Sequence, residues 1–99
     1  PKVVSFGVVL VAYKGAQGAS AGARSKDEAL RVAEDAASKA KTDFAAAVKL
    51  GDLGFDDAGE MPRGVLEPAA EAALFNLAPG EVSAPVDSPR GYYVFKRIE

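Results

Sequence analysis

Gly51-Asp52-Leu53-Gly54-Phe55, then Gly59-Glu60-Met61, Leu66-Glu67-Pro68, Leu74-Phe75-Asn76-Leu77-Ala78-Pro79-Gly80-Glu81-Val82-Ser83 and Gly91-Tyr92-Tyr93 follow one another in a 99-residue chain. Their order decides the fold, although each piece alone is ordinary punctuation. Residues 51–54 read as a turn. Glu67-Pro68 opens a helix, with Pro68 at the first helical position, where a missing N–H is harmless. That helix is expected to run to about Asn76, with Ala70, Ala73, Leu74 and Leu77 as its apolar side. Ala78-Pro79-Gly80 ends it. Residues 82–86 read as a short strand, which Pro85 confines to an edge or cuts short. Ser88-Pro89-Arg90-Gly91 is a turn. Residues 92–98 form a closing strand, with Tyr92 and Val94 on one parity and Tyr93 and Phe95 on the other.

Upstream, residues 3–13 are rich in β-branched side chains and apolar on both parities, as in a central strand covered on both faces. Residues 14–23, rich in Gly and Ala, are a loop. Ser25-Lys26-Asp27-Glu28 is a capping box: the Ser25 hydroxyl reaches the Glu28 amide, and the Glu28 carboxylate returns to the Ser25 amide. A helix then runs to about Lys41, with Leu30, Ala33, Ala37 and Ala40 on one face. That alanine face predicts close packing on a sheet. Thr42 is expected to cap a short second helix through Phe44 and Val48. The order strand, two helices, strand, helix, two strands gives an α+β fold: a small, mainly antiparallel four-stranded sheet with about three helices around it.

The length suits one domain spanning residues 1–99. The chain opens at Pro1 and closes directly after a strand, so it reads as a domain excised from a longer protein. Apolar residues make up 48% of it, much of that alanine, so the core should be thin. A net charge of −2 argues against nucleic acid or an anionic membrane as the main partner. Residues 3–13 fall well short of the roughly 20 apolar residues that cross a bilayer, and they lack the basic start of a signal peptide. No membrane insertion is therefore expected. There is no cysteine, which excludes disulfides, zinc thiolates and thiol nucleophiles and leaves the redox compartment open. There is no histidine either, which excludes imidazole chemistry. Asp52, Asp56, Asp57 and Glu60 lack the spacing of a calcium loop. No metal and no cofactor is expected, and the serines have no base to activate them.

In this order, the quoted pieces resemble the parvulin-type peptidyl-prolyl cis/trans isomerases. The residues Val8-Val9-Leu10-Val11-Ala12-Tyr13 are similar to the family's opening strand. Arg24-Ser25-Lys26-Asp27-Glu28 and Asp43-Phe44-Ala45-Ala46 are similar to its first two helix starts. Gly51-Asp52-Leu53-Gly54 is its best-known tetrapeptide, and Gly91-Tyr92-Tyr93-Val94-Phe95-Lys96 is similar to its closing strand. The resemblance implies a parvulin-like fold and action on X-Pro bonds of protein chains. Its expected partners are proline-containing or extended polypeptide segments, together with neighbouring domains of the same chain. The subset of the family that reads phosphorylated motifs needs an Arg or Lys cluster, and the charge balance argues against it.

The departures concern the site. The family's two histidines fall on Val8 and Tyr93, which are not expected to be catalytic themselves, although the Tyr93 hydroxyl is a possible donor. The segment carrying the family's Cys or Asp is reduced to Leu50 between Lys49 and Gly51. The family's Leu, Met and Phe around the proline ring become Leu53, Leu66 and Ala70, with Met61 the rival for the Met position. A serine of the last turn becomes Arg90. Phe55, Phe75 and Arg90 complete the implied substrate-binding set. Asp52 has two roles open, orienting a pocket hydrogen bond or closing its turn. Leu53, Met61 and Leu66 have pocket and core roles open. Arg90 either holds a peptide carboxylate or is solvated.

Prolyl isomerisation breaks no covalent bond. Its barrier of about 18–20 kcal/mol is amide resonance, and a catalyst must bind the twisted amide better than the planar forms. An apolar pocket and a hydrogen-bond donor serve that purpose without histidine. Shrinking Phe to Ala at position 70 removes part of a wall whose full burial is worth about 1.5–3 kcal/mol. The expectation is therefore weak catalysis. The alternatives are an inactive peptide-binding or chaperone module on the same fold, and an interdomain scaffold.

Overall fold

A computed structural model describes residues 3–99. The long strand β1 (Val3–Val11) is central. It is followed by α1 (Lys26–Ala40), α2 (Phe44–Leu50), β2 (Leu53–Phe55), β3 (Glu60–Pro62), α3 (Pro68–Phe75), β4 (Val86–Ser88) and β5 (Gly91–Arg97). Four strands lie in the order β2-β1-β5-β4, all antiparallel to their neighbours. The α+β architecture expected from the sequence is present, with one strand more. β3 pairs with the start of β1, setting Val4 opposite Met61, which makes the sheet five-stranded.

The two faces of the sheet carry two cores, which is why β1 and β5 are apolar on both parities. On one face Val9, Val11, Tyr92 and Val94 pack with α1 and α2. The α1 contribution is Ala29, Ala33, Ala36, Ala37 and Ala40, with Leu30 only partly buried. On the other face Val4, Phe6, Tyr93 and Phe95 pack with Ala70, Leu74 and Phe75 of α3.

The capping box of α1 is formed: the Glu28 amide donates to the Ser25 Oγ at 3.2 Å, and the Ser25 amide donates to the Glu28 carboxylate at 3.3 Å. For α2 the cap is Asp43 rather than Thr42. The Asp43 carboxylate accepts the Ala46 amide at 3.1 Å, while the Thr42 hydroxyl turns back to the Lys39 carbonyl. The strand expected at residues 82–86 is displaced to β4. Pro85 has no N–H to give, and Val82 keeps only an isolated bridge to Lys96. Pro89 and Arg90 form the tight β4–β5 turn, braced by the Ser88 hydroxyl, which donates to the Gly91 carbonyl and accepts the Arg90 amide. Gly91 stands at φ +136°, where a Cβ would lie 2.5 Å from the Val11 carbonyl oxygen, so this corner needs glycine.

Candidate functional site

Alternation along the strands builds the site. Phe6, Val8 and Leu10 of β1 point to the α3 side, as do Tyr93 and Phe95 of β5. The register places Leu53 beside Leu10 and Leu10 beside Tyr93. One step along, Phe55 lies beside Val8 and Val8 beside Phe95. Two apolar rows thus cross three strands. Met61, Leu66 and Arg90 close the edges, leaving a hollow of about 190 Å³. Gly54 lets β2 lie tightly against β1, since a Cβ there would meet the Val8 carbonyl oxygen at 2.5 Å.

The hollow is apolar apart from two side chains, the Arg90 guanidinium and the Tyr93 hydroxyl. The Tyr93 ring stacks on Phe95 with centroids 5.2 Å apart. Burial raises the Tyr93 phenol above its ordinary value, and the negative charge of Glu67 adds to this. Arg90, by charge and hydrogen bonding, and the Ser88 hydroxyl oppose it. The rim is open and greasy: Leu53 is 57% exposed and Phe55 is 55% exposed.

Of the residues singled out in the sequence, Val8, Leu53, Phe55, Met61, Leu66, Arg90 and Tyr93 line this hollow together. Ala70 and Phe75 do not. Both are buried in the core behind it, where helical periodicity turns them inward, and Phe75 carries the Arg63 guanidinium 4.4 Å above its ring. Asp52 also lies elsewhere. Its carboxylate accepts the Ala12 amide at 2.8 Å and the Arg24 guanidinium at 2.9 Å, so it closes its turn onto the end of β1. It borders a separate hollow of about 250 Å³ under the glycine-rich loop. Phe6, Leu10 and Phe95 were missed as lining residues. Their signal was shared parity with Val8 and Tyr93 on the same two strands.

A polar clasp holds the neighbouring loop. The Tyr13 hydroxyl donates to Asp87 at 2.6 Å, and the Lys26 ammonium lies 3.0 Å from the same carboxylate. Hydrogen bonding to Tyr13 and then to Lys26 lowers the Asp87 carboxyl, and Asp87 in turn raises Tyr13 and Lys26. Among the described residues there is no cluster of three or more acidic side chains able to hold a metal. Among the described residues no helix is long and apolar enough to cross a membrane.

A family model described as the PPIC-type PPIase domain matches residues 14–99. The chain is 45% identical over 49 residues to the chaperone SurA of Bordetella avium, a match covering 50% of this chain and 9% of that protein. It is 48% identical over 40 residues to the foldase protein PrsA of Caldanaerobacter subterraneus subsp. tengcongensis, covering 40% of this chain and 13% of that one. The matched segments are thus small parts of both relatives. Among solved structures, the crystal structure of the PPIase domain of TbPar42 superimposes with a TM-score of 0.80 at 25% identity, covering 97% of this chain and 99% of that one.

Proposed function

From the premise that this chain belongs to the PPIC-type PPIase domain family, the parvulins, we infer that the hollow on the α3 side of the sheet is where it isomerises X-Pro bonds of protein chains. The observation that carries the reading is the composition of that hollow: an apolar basin with just two polar side chains, Arg90 and Tyr93. The proline ring seats among Leu53, Met61, Leu66 and Phe95, and the adjoining carbonyl leaves water. In the twisted amide the nitrogen regains its lone pair and becomes an acceptor, so a donor at Arg90 or Tyr93 favours the twisted form over the planar one. The Tyr93 phenol, raised by burial, keeps its proton near neutral pH, and the Arg90 guanidinium offers N–H donors, which suits a reaction that moves no proton to or from bulk water.

Turnover is expected to be weak. Val8 contributes bulk and no hydrogen bond, Ala70 adds no wall, and the segment bearing the family's Cys or Asp is shortened to Leu50. The test is NMR exchange spectroscopy on short X-Pro peptides, set beside a family member with both histidines. Slow but measurable exchange enhancement supports the reading, and equal turnover would sink the weak-activity part of it.

The exposed side chains of Leu53 and Phe55 favour a second reading, a module that holds extended peptides. Peptide-induced shifts at Leu53, Leu66 and Tyr93 without exchange enhancement would select it. An absence of shifts would leave the scaffold role.

A further inference from the structure

Among the described residues that line the hollow, Arg90 alone carries a charge. It sits in the β4–β5 turn, where Ser88 pairs with Gly91. That turn lies just beyond the row in which Tyr93 faces Leu10 and Leu10 faces Leu53. Met61, which pairs with Val4, lies toward the other end of β1. The hollow thus has a cationic end and an apolar end.

The turn fixes the root of that charge. The Ser88 hydroxyl accepts the Arg90 amide at 3.2 Å and donates to the Gly91 carbonyl at 2.7 Å. The Pro89 carbonyl accepts the Gln17 amide at 2.7 Å. The backbone is held, while Arg90 itself is exposed. Among the described residues no carboxylate pairs with it. Arg24 and Lys26, by contrast, already face carboxylates: Asp52 at 2.9 Å and Asp87 at 3.0 Å. A cation without a counter-charge, at the lip of an apolar basin, casts its field into the basin more strongly than it would in open water. The planar fork of a guanidinium matches the two oxygens of a carboxylate.

The two polar side chains of the hollow then divide the work. Tyr93 is 7% exposed and its ring stacks on Phe95, so its hydroxyl keeps one place. A donor fixed in advance suits the reacting amide. Arg90, on a long exposed stem, suits a group that varies from one substrate to the next.

We propose that Arg90 is a specificity-determining residue, selecting X-Pro segments that carry an Asp or Glu next to the proline. It pairs with that carboxylate while the proline ring sits in the apolar end. No covalent bond changes. One cation balances one negative charge, and Arg24 and Lys26 are engaged elsewhere, so the favoured group is a carboxylate and not a phosphate dianion. A net charge of −2 gives acidic segments no long-range attraction, so the preference acts through this contact. This proposal rests on the isomerase reading of the hollow.

The test is NMR exchange spectroscopy on peptide pairs that differ only by Glu or Gln. The varied residue stands immediately before the proline in one pair and immediately after it in the other. With the wild type, the Glu member of at least one pair should exchange about two- to fivefold faster than its Gln partner, the scale of an ion pair at a rim. The preference should shrink as salt rises from about 0.05 M to 0.5 M. It should vanish in Arg90→Gln, return in Arg90→Lys and reverse in Arg90→Glu. Peptide affinities from chemical-shift titration should follow the same order, and they decide the matter for any variant whose turnover is too slow to read. Exchange enhancement without a Glu preference in the wild type, or a preference that survives in Arg90→Gln, would overturn this proposal alone. A phosphoserine peptide exchanging severalfold faster than its Glu counterpart would overturn the carboxylate assignment. No exchange enhancement with any peptide would overturn the isomerase reading and this proposal together.

Discussion

Val8 and Tyr93 stand diagonally across the β1–β5 ladder: Val8 pairs with Phe95, Tyr93 pairs with Leu10, and both line one hollow. Diagonal neighbours on one face of a sheet lie within reach of long side chains. Paired imidazoles at these two positions would face each other, whereas here a methyl pair meets a phenol.

This arrangement predicts the pH profile. No histidine or cysteine is present, and the shifted groups are carboxylates moved down and tyrosine or lysine moved up. Isomerisation by the wild type should therefore be flat between about pH 5.5 and 8. The double variant Val8→His, Tyr93→His should acquire an inflection within that window. Exchange rates measured across pH check both, and a wild-type inflection near pH 6.5 would contradict the assignment.

Leu53 and Leu74 separate binding from folding. Leu53 is 57% exposed at the rim, and Leu74 is fully buried behind it. Leu53→Ala should weaken X-Pro peptide binding severalfold, with stability changed by less than about 0.5 kcal/mol. Leu74→Ala should cost about 2–5 kcal/mol of stability. Peptide titration and urea unfolding of both variants decide this.

Asp52 should prove structural. Asp52→Ala removes the acceptor for the Ala12 amide and the partner of Arg24, with the carboxylate itself 44% exposed. The expected loss is about 1 kcal/mol, discounted for solvent screening. Isomerisation should stay within about twofold of the wild type. A collapse of turnover in a folded variant would return Asp52 to the site.

Acid should loosen the clasp that ties the segment between β1 and α1 to β4. Asp87 is lowered by its hydrogen bonds to Tyr13 and Lys26, and Glu28 by its bonds to Ser25. Lowered carboxyls contribute stability that is full above their ordinary values, near pH 4, and is lost as pH falls through the lowered ones. The urea midpoint should therefore drop between about pH 5 and 3, and Asp87→Asn should flatten that drop. An unchanged slope in Asp87→Asn would remove the clasp from the explanation.

Ala33 is fully buried between α1 and the sheet. Ala33→Leu should cost about 1–3 kcal/mol by overpacking, seen as a lowered Tm.

What the sequence made legible was local. The Ser25–Glu28 box, the alanine spacing of α1, Pro68 at the first turn of α3 and the parity of residues 92–95 are short-range signals, and each predicted its element. β3 was not legible, because a three-residue strand owes its existence to a distant partner, Val3–Ser5, and not to its own composition. The Asp43 cap was confused with Thr42 because both residues are good caps and only the chain's path chooses between them. At the site, Val8, Leu53 and Tyr93 could be named from their place in a motif. Phe6, Leu10 and Phe95 join them through cross-strand register, which is a long-range property. Ala70 and Phe75 have the right spacing and the wrong depth.

The alanine face of α1 bears on how the molecule adapts. Alanine has no rotamers to freeze, so the five buried alanines that α1 lays on the sheet contribute almost no side-chain freedom in either the folded or the unfolded chain. Leu53, Phe55, Met61, Leu66 and Arg90, with their many rotatable bonds, all gather on the opposite side. The sheet thus lies between the alanine face of α1 and a rim of longer, rotatable side chains. Rotamer changes at these side chains can reshape the hollow with no movement of the backbone that carries them.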